Sequence, residues 1–65
     1  MPFVHISLTK GRTEEQLEKL IEEVTKTVSE VAEAPSSSIQ VMINEVEIQH
    51  WGIAGESVKK RRQRA

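Results

Sequence analysis

The chain has 65 residues and a mass of 7.4 kDa, with 37% hydrophobic and 29% charged residues and no cysteine; it has room for one domain and no access to disulfides or thiolate zinc sites. A domain this small buries only about 60% of the surface its unfolded chain exposes, so oligomerisation is the remaining source of stability. The net charge of −1 conceals a division: residues 1–58 hold all ten glutamates against Lys10, Arg12, Lys19 and Lys26, while Lys59-Lys60-Arg61-Arg62-Gln63-Arg64 adds five positive charges.

His5 and His50 are the only imidazoles and there is no aspartate, so no metal site is expected. No apolar run approaches the roughly 20 residues that span a bilayer. Met1-Pro2-Phe3-Val4-His5 lacks the basic and apolar regions of a signal peptide. The expected location is the cytoplasm, with no membrane partner.

Phe3 to Leu8 alternates, with Val4, Ile6 and Leu8 on one face and Phe3, His5 and Ser7 on the other; period two predicts a strand. Thr9 to Arg12 reads as a turn around Gly11. Thr13-Glu14-Glu15-Gln16 spells a capping box, in which the Thr13 hydroxyl accepts from the Gln16 amide and the Gln16 side chain accepts from the Thr13 amide. Leu17, Leu20, Ile21, Val24, Val28, Val31 and Ala32 then form one apolar stripe at helical period. Ala34-Pro35 ends the helix, and Ser36–Ser38 is a linker.

Ile39 to Val46 predicts a second strand, with Ile39, Val41 and Ile43 facing opposite to Gln40, Met42 and Asn44. A helical crossover makes the two strands parallel and the unit right-handed. Glu47 to Gly55, carrying Ile48, Trp51 and Ile53, reads as a short hairpin. After Val58 only the basic stretch remains, expected to be a mobile tail. The division is thus a folded unit over 1–58 and a tail over 59–65. The class is α+β: a β-α-β unit with a C-terminal hairpin. One helix covers one face of a two-stranded parallel sheet, and parallel sheets are normally buried on both faces. The uncovered face and open edges predict completion of the sheet by oligomerisation.

Met1-Pro2, Gly11-Arg12-Thr13 with Glu15-Gln16, Ala34-Pro35, and His50-Trp51-Gly52-Ile53-Ala54-Gly55 together resemble the 4-oxalocrotonate tautomerase family over residues 1–56. The resemblance implies a β-α-β subunit, a homohexamer built as a trimer of dimers, and an isomerase acting in aromatic degradation without metal or organic cofactor. It implies that removal of Met1 frees the secondary amine of Pro2 as general base. Such an amine has an ordinary pKa of about 7.7–8.0, which an apolar pocket near a cation lowers towards the working pH. Arg12 matches the arginine that binds a substrate carboxylate, for which its planar fork is suited. Trp51 matches an aromatic pocket wall.

Gln40 stands where most active members carry a second arginine. It offers a neutral hydrogen bond in place of a charge-assisted one, which predicts weak turnover of dicarboxylates. The expected substrates are small 2-hydroxy-dienoate or enolpyruvate carboxylates. Hydration and dehalogenation within the family need an extra carboxylate, for which Glu45, Glu47 and Glu56 are candidates. His5 and His50 read as structural histidines. A second reading, a non-catalytic oligomer whose basic tail contacts a polyanion, rests on Gln40 and the tail; the acidic body and the lack of an aromatic platform argue against nucleic acid.

Overall fold

The structure is a computed structural model describing residues 1–64. Strand β1 (Phe3–Thr9), helix α1 (Glu14–Val31) and strand β2 (Gln40–Val46) form the β-α-β unit. β1 and β2 pair in parallel, with Phe3 opposite Gln40, His5 opposite Met42 and Thr9 opposite Val46. The backbone pairing continues past the strands through Lys10, whose amide donates to the Val46 carbonyl at 2.9 Å.

The capping box forms as its residues dictate. The Gln16 amide donates to Thr13 Oγ1 at 3.2 Å, and the Thr13 amide donates to Gln16 Oε1 at 2.9 Å. Glu14 and Glu15 occupy the first turn, where the helix dipole favours negative charge. The other end carries a feature the prolyl stop does not predict. Ala32 caps the helix, Glu33 takes φ 53°, and the Ala34 amide reaches back to the Ser29 carbonyl at 3.2 Å. This is the wrap of a Schellman ending, with a glutamate in the left-handed position that usually holds glycine.

Pro35 leads into a 3-10 turn over Ser36–Ser38, where a plain linker was expected. A second 3-10 turn, Ile48–His50, follows β2, so the hairpin is confined to β3 (Gly52–Ile53) and β4 (Glu56–Ser57). Its two-residue turn has Ala54 at φ 53° and Gly55 at φ 86°. Positive φ at both positions is the condition of a type I′ turn, whose twist suits a tight antiparallel hairpin.

Where a tail without regular structure was expected, residues Val58–Arg64 form helix α2. Its start is held by the Ser57 hydroxyl, which accepts from the Lys60 amide at 3.2 Å. Its end is held by Arg64, whose Nη2 lies 2.6 Å from Glu56 Oε1. Lysine and arginine are good helix formers, a tendency that no apolar periodicity announces in this stretch.

α1 packs on the face of the sheet that carries Val4, Ile6, Leu8, Val41 and Ile43, all half-buried. Among the described residues none is fully buried, and Phe3 and Met42 on the opposite face remain 57% and 50% exposed. The shape agrees. The radius of gyration is 15.1 Å, whereas a compact chain of this length has about 11 Å. The accessible surface is 5058 Å², against roughly 4,200 Å² for a globular protein of this mass. A single protomer therefore has two layers and no closed core. No helix is long and apolar enough to cross a membrane among the described residues.

Candidate active site

The four residues singled out above fall at two opposite ends of the sheet. Pro2 precedes β1 and Gln40 opens β2. Parallel pairing sets these two beginnings side by side, and the Gln40 amide donates to the Pro2 carbonyl at 3.0 Å. The Gln40 side chain turns towards the chain start, its Nε2 lying 3.8 Å from Met1 Sδ. Pro2 is half-buried and Met1 is 94% exposed. While Met1 is attached, the Pro2 nitrogen is an amide without a basic lone pair. Its removal would leave a secondary amine at the head of β1, where the Gln40 backbone is bonded to the Pro2 carbonyl.

Arg12 and Trp51 lie at the other end. Arg12 follows Gly11, whose φ of 142° lets the chain leave β1 sharply. Its Nη1 donates to the Thr9 carbonyl at 2.7 Å, and the side chain remains exposed. One edge of the guanidinium is thus fixed, with further N–H groups left for a carboxylate. Trp51 is half-buried between the 48–50 turn and β3, and its carbonyl accepts from the Val58 amide at 2.8 Å. Seven strand residues at about 3.3 Å each separate the two groups by roughly 20 Å. One protomer brings together Pro2 with Gln40, and separately places Arg12 and Trp51 in neighbouring loops; it does not bring all four together.

A shallow hollow of the surface runs along α1 over Thr13, Gln16, Leu20 and Glu23. It includes none of the four residues.

Two of the three candidate carboxylates are already engaged by cations. Glu47 Oε1 lies 2.8 Å from Lys10 Nζ, and Glu56 is held by Arg64. The Lys10 ammonium holds the Glu47 carboxyl below its ordinary value, first by hydrogen bonding and then by charge, and the same contacts raise Lys10. The Lys10–Glu47 pair was not legible in the sequence. It becomes so once Thr9 is known to face Val46, because the next residues along the same ladder are Lys10 and Glu47. Glu45 is half-buried opposite Leu8. His5 is exposed on the open sheet face and His50 is exposed in the 48–50 turn.

Comparison with known proteins bears on this arrangement. The chain is 45% identical over 60 residues to the 2-hydroxymuconate tautomerase of Comamonas testosteroni, spanning 92% of this chain and 95% of that one. Among solved structures, DmpI from Helicobacter pylori matches with a TM-score of 0.86 at 40% identity, over 95% of this chain and 97% of that one. A heterohexameric 4-oxalocrotonate tautomerase from Chloroflexus aurantiacus matches with a TM-score of 0.87 at 25% identity, over 92% and 97% of the two chains. Residues 2–61 match the family described as tautomerase enzyme. With nearly its whole length covered by that match, and with the β-α-β unit and hairpin in place, the chain belongs to the tautomerase family of isomerases.

Proposed function

We propose that this tautomerase uses the amine of Pro2, freed by removal of Met1, as the general base for proton transfer on small enol carboxylates. The amine takes the proton from the enol oxygen of a 2-hydroxy-dienoate or enolpyruvate. It returns a proton to carbon, giving the keto or α,β-unsaturated isomer. The balance is internal to substrate and amine, so the reaction calls for neither metal nor organic cofactor. Carrying this reading is the convergence of Pro2 and Gln40 at the head of the parallel sheet, with the Pro2 carbonyl bonded to the Gln40 amide.

Arg12 binds the substrate carboxylate and Trp51 supplies an apolar wall. Because these two stand roughly 20 Å from Pro2 within a protomer, a complete site takes them from a neighbouring copy. That requirement, the absence of any fully buried residue among those described and the exposed Phe3 and Met42 support a homo-oligomer. A hexamer built as a trimer of dimers is the favoured assembly.

Gln40 donates a neutral hydrogen bond to the oxygen on which charge develops. Loss of a charged donor at such a position costs about 10²–10³ in rate, by analogy with other oxyanion sites. Dicarboxylates such as 2-hydroxymuconate are therefore weak substrates, and monocarboxylates such as phenylenolpyruvate suffer less. Hydratase chemistry is disfavoured because Glu47 and Glu56 are paired with Lys10 and Arg64.

An ultraviolet assay of ketonisation, run on protein whose mass shows Met1 absent and on Pro2→Ala, tests the reading. Turnover that falls by about 10²-fold or more in the variant supports a base at Pro2. Equal turnover in the two proteins would show that the secondary amine of proline is not required, since the variant keeps only a primary amine at the chain start.

A further inference from the structure

We infer that the Lys10–Glu47 pair is a clasp that sets the spacing between Arg12 and Trp51, and so serves as a positioning element for substrate binding. The inference rests on the reading of Arg12 and Trp51 as substrate-binding residues given above.

Two loops leave the same end of the sheet. One runs from Lys10 through Gly11 to Arg12, and the other from Glu47 through the 48–50 turn to Trp51. The Lys10 amide donates to the Val46 carbonyl at 2.9 Å, the last backbone tie between the two chain segments before they diverge. One residue further along, Lys10 Nζ meets Glu47 Oε1 at 2.8 Å. Glu47 is also the residue on which the 48–50 turn is built, since its carbonyl accepts from the His50 amide at 2.9 Å. Trp51 is the next residue after that turn.

On the other side, Arg12 is separated from Lys10 only by Gly11, and its guanidinium is already bonded to the Thr9 carbonyl. Each loop is thus short from the ion pair outward, with two residues from Lys10 to Arg12 and four from Glu47 to Trp51. A shift at the clasp passes directly to both functional side chains. The pair also removes Lys10 as a competing cation, leaving Arg12 as the cation presented to a carboxylate by these two loops. Lys10 and Glu47 touch no substrate; they act through the residues they space.

The test compares KM and kcat for phenylenolpyruvate in the full chain and in Lys10→Met, Glu47→Gln and the exchanged pair Lys10→Glu with Glu47→Lys. Glu23→Gln, which removes the exposed Lys19–Glu23 contact on α1, is the control for loss of a remote ion pair. An exposed pair acting on binding should raise KM about two- to fivefold in each single variant with kcat retained. The exchanged pair should return KM towards the parent, and Glu23→Gln should leave it unchanged. Unaltered KM in the single variants, or an exchanged pair no better than either single, would overturn the clasp while leaving the tautomerase reading intact. Absence of Pro2-dependent turnover in the parent chain would overturn the reading on which the clasp rests.

Discussion

The backbone amide of Gln40 donates to the carbonyl of Pro2 at 3.0 Å, so the first residue of the second strand is fastened to the head of the first. A helix of eighteen residues separates these strands in the chain. Parallel pairing returns the polypeptide to its own beginning. It thereby brings the Gln40 side chain to the chain start, where its Nε2 lies 3.8 Å from Met1 Sδ.

Gln40→Arg should raise kcat/KM for 2-hydroxymuconate by about tenfold or more, since a charge-assisted donor replaces a neutral one. The gain for phenylenolpyruvate should be smaller. Steady-state kinetics on both substrates check this, and equal gains on the two would show that position 40 acts only on the oxygen the two substrates share and does not distinguish a dicarboxylate.

Native protein at micromolar concentration should scatter light as a species several times 7.4 kDa. The reason is geometric: Phe3 and Met42 lie on a sheet face that α1 does not cover. A stably folded monomer would show that the two-layer protomer suffices without its missing partner.

The sequence made some parts of this fold plain and hid others. Alternation in β1 and β2 and the Thr13–Gln16 capping box are local patterns and appear in the structure, whereas the apolar stripe of α1 does so only in part: Leu17, Leu20, Val24 and Val28 are half-buried, Ile21 and Val31 are exposed, and Ala32 caps the helix. The helical state of Val58–Arg64 has no apolar periodicity to announce it, and a basic terminal stretch reads as a mobile tail. Two contacts decide it instead, Ser57 on the Lys60 amide and Arg64 on Glu56. The Lys10–Glu47 pair depends on strand register, which no local pattern reports. For the candidate site, Pro2, Gln40, Arg12 and Trp51 are nameable from the family resemblance. Their division between opposite ends of the sheet follows from the parallel pairing of β1 and β2 that the helical crossover predicts.

Glu33 at φ 53° is a non-glycine residue in the left-handed region, where a side chain costs roughly 1–2 kcal/mol. Glu33→Gly relieves that strain and gives back part of it as unfolded-chain entropy. A net stabilisation of about 0.5–1 kcal/mol should raise the midpoint of thermal unfolding by a few degrees. Differential scanning calorimetry checks this, and a lower midpoint would contradict the strained cap.

The Lys10–Glu47 clasp has a defined pH window. Glu47 is held below its ordinary 4.5 in the folded chain. Its contribution is therefore present above that value and disappears as pH falls through the depressed one. Lys10 is held above its ordinary 10.5, so its contribution is present below that value and is lost as pH rises through the elevated one. Between about pH 5 and pH 10 the stability difference between the parent chain and Glu47→Gln should be constant. Urea titrations should show it vanishing in stronger acid. A difference that persists with Glu47 protonated would mean that the carboxylate charge is not what holds the loops.

The most direct test of the central claim compares two preparations of the same sequence, one with Met1 removed and one that keeps it, each verified by mass. Every side chain from Pro2 onward is shared; the preparations differ in Met1 itself, whose Sδ lies 3.8 Å from Gln40 Nε2, and in the Pro2 nitrogen, an amine in one and an amide in the other. The account predicts kcat/KM for phenylenolpyruvate about 10²–10⁴-fold lower when Met1 is kept, with the same assembly in both. Equal turnover in the two preparations would contradict it.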